Sequence, residues 1–200
     1  MTAQPATRTP LPPPRLTHRQ VELREALVAL IVAEGFHHLT MDDVAARLNC
    51  SKRTLYALAA SKEQLAVLAV REFFRQCTEQ VETALARTRT PATRVTRYLE
   101  AVAEALRPAS RAFHDDVVSH VLTNEIYEQN TLAAAERVRE LIDAGTGSGA
   151  FRRVPAAFVG EVVTATMRRI TSGEVRRATG LSDADAYAEL AALVVAAIRR

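Results

Sequence analysis

Tryptophan is absent from this 200-residue sequence, aromatic residues reach only 5%, and glycine occurs seven times. Strands favour aromatic and β-branched residues, and hairpins need glycine, so these shortages argue against a sheet protein. Cysteine occurs twice, at Cys50 and Cys77, too few for a disulfide framework and wrongly spaced for a metal cluster. No apolar run exceeds the nine residues Leu190 to Ile198, against about 20 for a membrane-spanning helix. The amino-terminal MTAQPATRTPLPPPR lacks the apolar core of a secretory signal, and a cytoplasmic location without a membrane partner is expected. Also missing are a nucleophile elbow, a phosphate loop, an HExxH pair and paired carboxylates, so neither catalytic residues nor a cofactor is expected.

What the chain has is alanine, 36 residues of it, in a sequence that is 48% hydrophobic with a net charge of only +3. That composition excludes wholesale disorder and favours packed helices. A chain of this size buries roughly 70% of its unfolded surface, enough for a real core. The excess positive charge is placed unevenly. Residues 1–62 hold eight Lys or Arg against five Asp or Glu, whereas residues 63–200 hold eighteen of each. A basic first third joined to a neutral body points to an anionic partner for the former and a separate task for the latter.

Five of the eight prolines lie within the first fourteen residues, so residues 1–16 read as a disordered tail, either a solvated leader or a minor-groove arm using Arg8 and Arg15. Thr17 with Gln20 fits a capping box that opens a helix ending at Gly35. Asp42–Leu48 and Ser51–Leu58 read as two short helices around the Asn49–Cys50 turn, where Asn tolerates a left-handed backbone. A longer helix runs from Lys62 toward Arg87. Further helices are expected over Val95–Leu106, Ser110 to about Leu122, Tyr127–Ala144, Pro155–Ser172 and Asp183–Arg200, about nine in all. The Gly145–Gly149 run GTGSG follows a helix rather than a strand and reads as an interhelical loop. The fold class is therefore all-α.

Residues 40–58 have the layout of a helix-turn-helix, with Ser51, Lys52, Arg53, Thr54 and Tyr56 presented on the second short helix. Small hydroxyl and cationic side chains at the start of such a helix reach base edges and phosphates in the major groove. The stretch AEGFHHLTMDDVAARLNCSKRTLYALAASKEQL resembles the DNA-binding domain of the TetR family of bacterial transcriptional repressors. The matching residues are Gly35-Phe36, Thr40, Asp43-Val44-Ala45, Ser51, Thr54-Leu55-Tyr56, Lys62-Glu63 and Leu65. Departures occur at Asn49-Cys50, commonly Gly-Val in the family, and at Leu58-Ala59, commonly an aromatic or His followed by Phe. The resemblance implies phosphate contacts from Thr40, Thr54, Tyr56 and Lys62 and base contacts from Ser51, Lys52 and Arg53, while the departure at Leu58 removes a polar group that in the family often approaches the DNA backbone. The resemblance also divides the chain into a helix-turn-helix domain, 17–61, and a larger ligand-binding and dimerisation bundle, 62–200.

A single recognition helix reads few base pairs, so a homodimer on a palindromic operator in double-stranded DNA is expected. The last two helices carry unusually wide apolar faces, which either serve as central core or bury one side against a second subunit. Phe158, Val162, Val163, Ile170, Leu190, Val194 and Ile198 are the candidates for that interface. The resemblance further implies a cavity for a small, mostly apolar effector that releases DNA. Its candidate lining is Phe73, Phe74, Cys77, Phe113, Val117, Val121, Tyr127 and Met167, or these residues are simply core. Asp116 and His120 share a helix face, but His114 points elsewhere, so no metal site is expected and a polar pocket wall or solvated face is preferred. The competing reading of the whole chain is an all-α small-molecule-binding protein or enzyme without DNA binding.

Overall fold

The computed structural model describes residues 17–199, which form ten helices and no strand. The proline-rich tail, with Arg8 and Arg15, lies outside the described residues. The helices are α1 His18–Glu34, α2 Met41–Arg47, α3 Lys52–Leu58, α4 Lys62–Ala86, α5 Pro91–Leu106, α6 Arg111–Ser119, α7 Val121–Gly147, α8 Ala156–Thr171, α9 Glu174–Thr179 and α10 Asp183–Ile198. None is long and apolar enough to cross a membrane.

Local chemistry sets the first helix starts. Thr17 and Gln20 form a reciprocal capping box at α1, and Thr40 and Asp43 form another at α2. Ser51, Ser61, Ser110 and Ser182 each accept a backbone N–H two or three residues into α3, α4, α6 and α10. Asn49 has a φ of 48° and turns the chain between α2 and α3. Three boundaries differ from the sequence reading. Pro91 occupies the first turn of α5, where its missing N–H costs nothing, so that helix begins four residues earlier than Val95. Helix α7 begins at Val121 and runs through Gly147, absorbing most of the glycine run expected to be a loop. Gly145 is helical there because the Phe151 ring packs directly on it, leaving no room for a side chain. The short α9, between left-handed Gly173 and Gly180, brings the count to ten.

Two apolar clusters organise the packing. One joins α1, α2 and α3 to the first half of α4 and to Phe113, Val117, Ile126 and Tyr127 of α6 and α7. Its centre includes Leu27, Leu55 and Ala69, all fully buried. The other fills the body between α4, α5, α7, α8 and α10 around Val95, Leu99, Val138, Ile142, Val163 and Ile198. Truncating such a residue to alanine typically costs about 2–5 kcal/mol. Because α4 contributes to both clusters, the small amino-terminal unit is seated on the body and not merely tethered to it.

Candidate nucleic-acid interface and effector cavity

Helix α3 buries Leu55 completely against Val44 and Ala45 of α2 and turns Lys52, Arg53, Tyr56 and Ala57 to solvent. Tyr56 is 51% exposed, unusual for a ring with no structural task. Arg53 makes no ion pair among the described residues, whereas the Lys52 ammonium lies 2.7 Å from Asp42 Oδ1. The hydrogen bond that Lys52 donates to Asp42 raises the Lys52 pKa and keeps its charge in place. Ser51 and Thr54 hydroxyls sit 2.8 Å apart, and Ser51 Oγ accepts the Thr54 N–H as the α3 cap. The Thr40 hydroxyl donates to Asp43 Oδ2 at 2.6 Å. That bond and the backbone N–H of Thr40 lower the Asp43 pKa. Lys62 Nζ donates to the His37 carbonyl at 3.0 Å, tying the start of α4 to the loop after α1. Ser51, Lys52, Arg53, Thr54 and Tyr56 thus share one short helix and its cap, flanked by Thr40 and Lys62. Leu58 and Ala59 are half-buried and pack on the amino-terminal cluster, which accounts for an apolar residue at Leu58.

The body holds two partly open cavities of about 90 and 70 Å³. The larger is lined by Phe74, Cys77, Tyr98, Tyr127, Met167 and Tyr187, among others. The smaller is lined by Phe73, Phe74, Phe113, Val117 and Tyr127 together with the polar His114, Arg176 and Asp183. Phe74, Leu106 and Tyr127 line both and form the partition between them, with the Phe74 and Tyr127 rings stacked at 5.3 Å. Seven of the eight sequence candidates therefore line one cavity or both. Val121 does not: it opens α7 on the outer surface and is 70% exposed. Burial pushes the Cys77 thiol up to about 12, and its Sγ donates to the Ala105 carbonyl.

A polar cluster at the smaller cavity had no signature in the sequence, since its members are spread over α6, α7, α9 and α10. Asp183 Oδ1 accepts from Arg176 Nη2 at 2.7 Å, and Asp183 Oδ2 accepts from the Tyr127 hydroxyl at 3.1 Å. His114 Nε2 lies 3.1 Å from both Asp183 Oδ2 and the Thr171 carbonyl, two acceptors, so that nitrogen carries the proton. Burial and the neighbouring Asp183 raise the Tyr127 pKa well above its ordinary value. Two residues beyond His114 on the same helix, Asp116 Oδ2 accepts the backbone N–H groups of Phe36 at 2.5 Å and His37 at 2.7 Å. Asp116 is thereby spent on the loop that leads into α2, and no group of three or more metal-ligating side chains occurs among the described residues.

The candidates for a subunit interface divide into two sets. Val163, Ile170, Leu190, Val194 and Ile198 face the chain's own core and are at most 6% exposed, so they offer nothing to a second subunit. The wide apolar faces of these helices arise because α8 and α10 pack on α5, α7 and each other. Phe158 (67% exposed) and Val162 on α8, with Leu193 (68%) on α10, point outward instead.

An exposed cationic helix behind a tight turn, on an all-helical body with an aromatic-lined pocket, is the arrangement of the helix-turn-helix class. Residues 23–69 match the family of bacterial regulatory proteins of the tetR type. The amino-terminal unit is thus similar to the helix-turn-helix of that family, and the chain shares its fold with solved transcriptional regulators. A TetR transcription regulator from Haloarcula marismortui is 13% identical, with a TM-score of 0.70 over 90% of this chain and 100% of its own. A transcriptional regulator from Cytophaga hutchinsonii is 14% identical, with a TM-score of 0.70 over 92% and 100%. A choline complex of a candidate regulator from Saccharomonospora viridis is 18% identical, with a TM-score of 0.72 over 90% and 97%. No curated protein matches the sequence.

Proposed function

We propose that this protein is a transcriptional repressor that binds a palindromic operator as a homodimer and is released by a small-molecule effector. Residues 17–61 serve as the DNA-reading unit and residues 62–200 as the body for effector and partner. In the DNA complex the amino-terminal half of α3 enters the major groove. Arg53, Lys52 and Ser51 face base edges, and Thr40, Thr54, Tyr56 and Lys62 meet phosphates. The second subunit packs on Phe158, Val162 and Leu193, three large apolar side chains that a lone subunit leaves in water.

The observation that carries this reading is helix α6. One of its side chains, His114, lines the smaller cavity, and another, Asp116, holds the backbone of the loop between α1 and α2. A ligand that displaces His114 therefore shifts α6 and with it the angle of the helix-turn-helix. Such a ligand releases DNA only to the extent that it prefers the state unable to bind it. Selection of bound duplexes from a random DNA pool tests the proposal. A two-fold symmetric sequence supports it, and absence of enrichment over unrelated duplex contradicts it.

A further inference from the structure

We propose that the effector site, taken as the cavity system described above, is built for a small monocarboxylate with an apolar ring or chain. The inference rests on the effector-responsive reading of the body. It begins with Arg176 and Asp183, which line the smaller cavity together with Arg107 and are not equally occupied. Both oxygens of Asp183 are engaged, Oδ1 by Arg176 and Oδ2 by Tyr127 and His114. Arg176 is only partly engaged. Its Nη2 serves Asp183, while Nε and Nη1 are buried and make no hydrogen bond. The nearest additional carboxylate to Nη1, that of Asp115, stands 3.8 Å away, beyond hydrogen-bond reach.

A buried guanidinium with two idle N–H nitrogens is costly unless something accepts from them. The cluster thus lacks a hydrogen-bond acceptor for these two nitrogens, and its one further carboxylate, Asp115, already faces Arg176 and His114. The guanidinium's full positive charge favours a carboxylate over a neutral carbonyl as the acceptor for either nitrogen.

The surroundings agree. A surface groove of about 560 Å³ between α6 and α9 shares His114, Arg176 and Ser182 with the smaller cavity and carries Arg111 and Arg177 at its rim. Against Asp115 and Asp183, the three arginines leave this mouth with net positive charge, which draws anions inward. Beyond Arg176 the wall becomes Phe73, Phe113 and Leu106, then the Phe74 and Tyr127 partition and the larger cavity. The two cavities together slightly exceed the ~150 Å³ that accommodates benzene. One ring and a short stem are therefore what the apolar part accepts once Phe74 rotates.

The test is calorimetric titration of the full chain with phenylacetate, its neutral isostere phenylacetamide, and the cation phenethylammonium. Phenylacetate is expected to bind about tenfold or more tightly than the amide, the factor carried by a charge-assisted pair, and the cation to bind not at all. Arg176→Gln is expected to abolish the preference of acid over amide. Should that variant fail to fold after losing its Asp183 partner, Leu106→Trp fills the lumen while leaving Arg176 in place, and it is expected to lose phenylacetate binding. Equal binding of acid and amide, preference for the cation, no binding of phenylacetate, or undiminished binding to Leu106→Trp overturns the proposal. Because none of these titrations contains DNA, their failure is separate from failure of the repressor reading. Phenylacetate that binds without altering operator affinity would refute effector release and leave the carboxylate site standing.

Discussion

Removing the Asp116 carboxylate should loosen the joint between the body and the DNA-reading unit. One oxygen, Oδ2, accepts two backbone N–H groups across nearly eighty residues of sequence, at 2.5 and 2.7 Å. Charge-assisted hydrogen bonds contribute about 1.5–3 kcal/mol each, and the His37 bond is exposed and worth the lower value or less. Asp116→Ala should therefore cost about 3 kcal/mol, a fall in Tm of about 6–12 °C for a chain of this length. Asp116→Asn can place its amide oxygen where Oδ2 stands and should cost about 1 kcal/mol. Gly35 supplies an independent check. Its φ is +79°, and an added Cβ would lie 2.5 Å from the same Asp116 oxygen and 3.1 Å from the Ala112 backbone. Gly35→Ala should thus destabilise at least as much as Asp116→Ala, and the two together should cost less than their sum. Thermal unfolding with hydrogen exchange at the Phe36 and His37 amides measures this. An Asp116→Ala protein that melts within 1 °C of wild type (under about 0.5 kcal/mol), with those amides still protected, would refute the reasoning.

Three further outcomes follow from the geometry. Leu193→Glu, or Phe158→Glu, should convert the proposed dimer to monomer in analytical ultracentrifugation without lowering helical content, since both side chains are exposed in the single subunit; an unchanged sedimentation coefficient places the interface elsewhere. In native protein at pH 8 the half-buried Cys50 should react with a thiol reagent well before Cys77, whose pKa of about 12 leaves roughly one thiolate in ten thousand; simultaneous modification would contradict the burial of Cys77. Arg53→Ala should reduce discrimination between operator and scrambled duplex, whereas Tyr56→Ala should weaken both about equally in an anisotropy titration; the reverse pattern would exchange their assigned roles.

The parts of this fold that are legible in the sequence are those set within one helical turn. Thr17 with Gln20, Thr40 with Asp43, the Ser51 cap and the left-handed Asn49 announce the first three helices because each rule spans four residues or fewer. The exposed cations of α3 are legible for the same reason. Helix α9 is not, since six residues bounded by two left-handed glycines carry no period long enough to read. The continuation of α7 through Gly147 depends on Phe151 folding back over Gly145, a tertiary contact that glycine content alone argues against. Apolar breadth on α8 and α10 reveals burial but not direction. Val163 and Val162 are sequence neighbours, and one faces the core while the other faces water. The polar cluster of His114, Tyr127, Arg176 and Asp183 is the least legible of all, because four helices must assemble before any spacing exists between its members.

The most direct test of the central claim is affinity selection of the purified full-length protein on random duplex DNA, followed by titration of the selected sequence at several salt concentrations. The expected result is a two-fold symmetric site with half-sites about one helical turn, ~34 Å, or a multiple of it apart. A logarithmic salt dependence of about −0.9 for each phosphate neutralised is also expected. Enrichment of no sequence, or of an asymmetric one bound by a single subunit, would contradict the central claim.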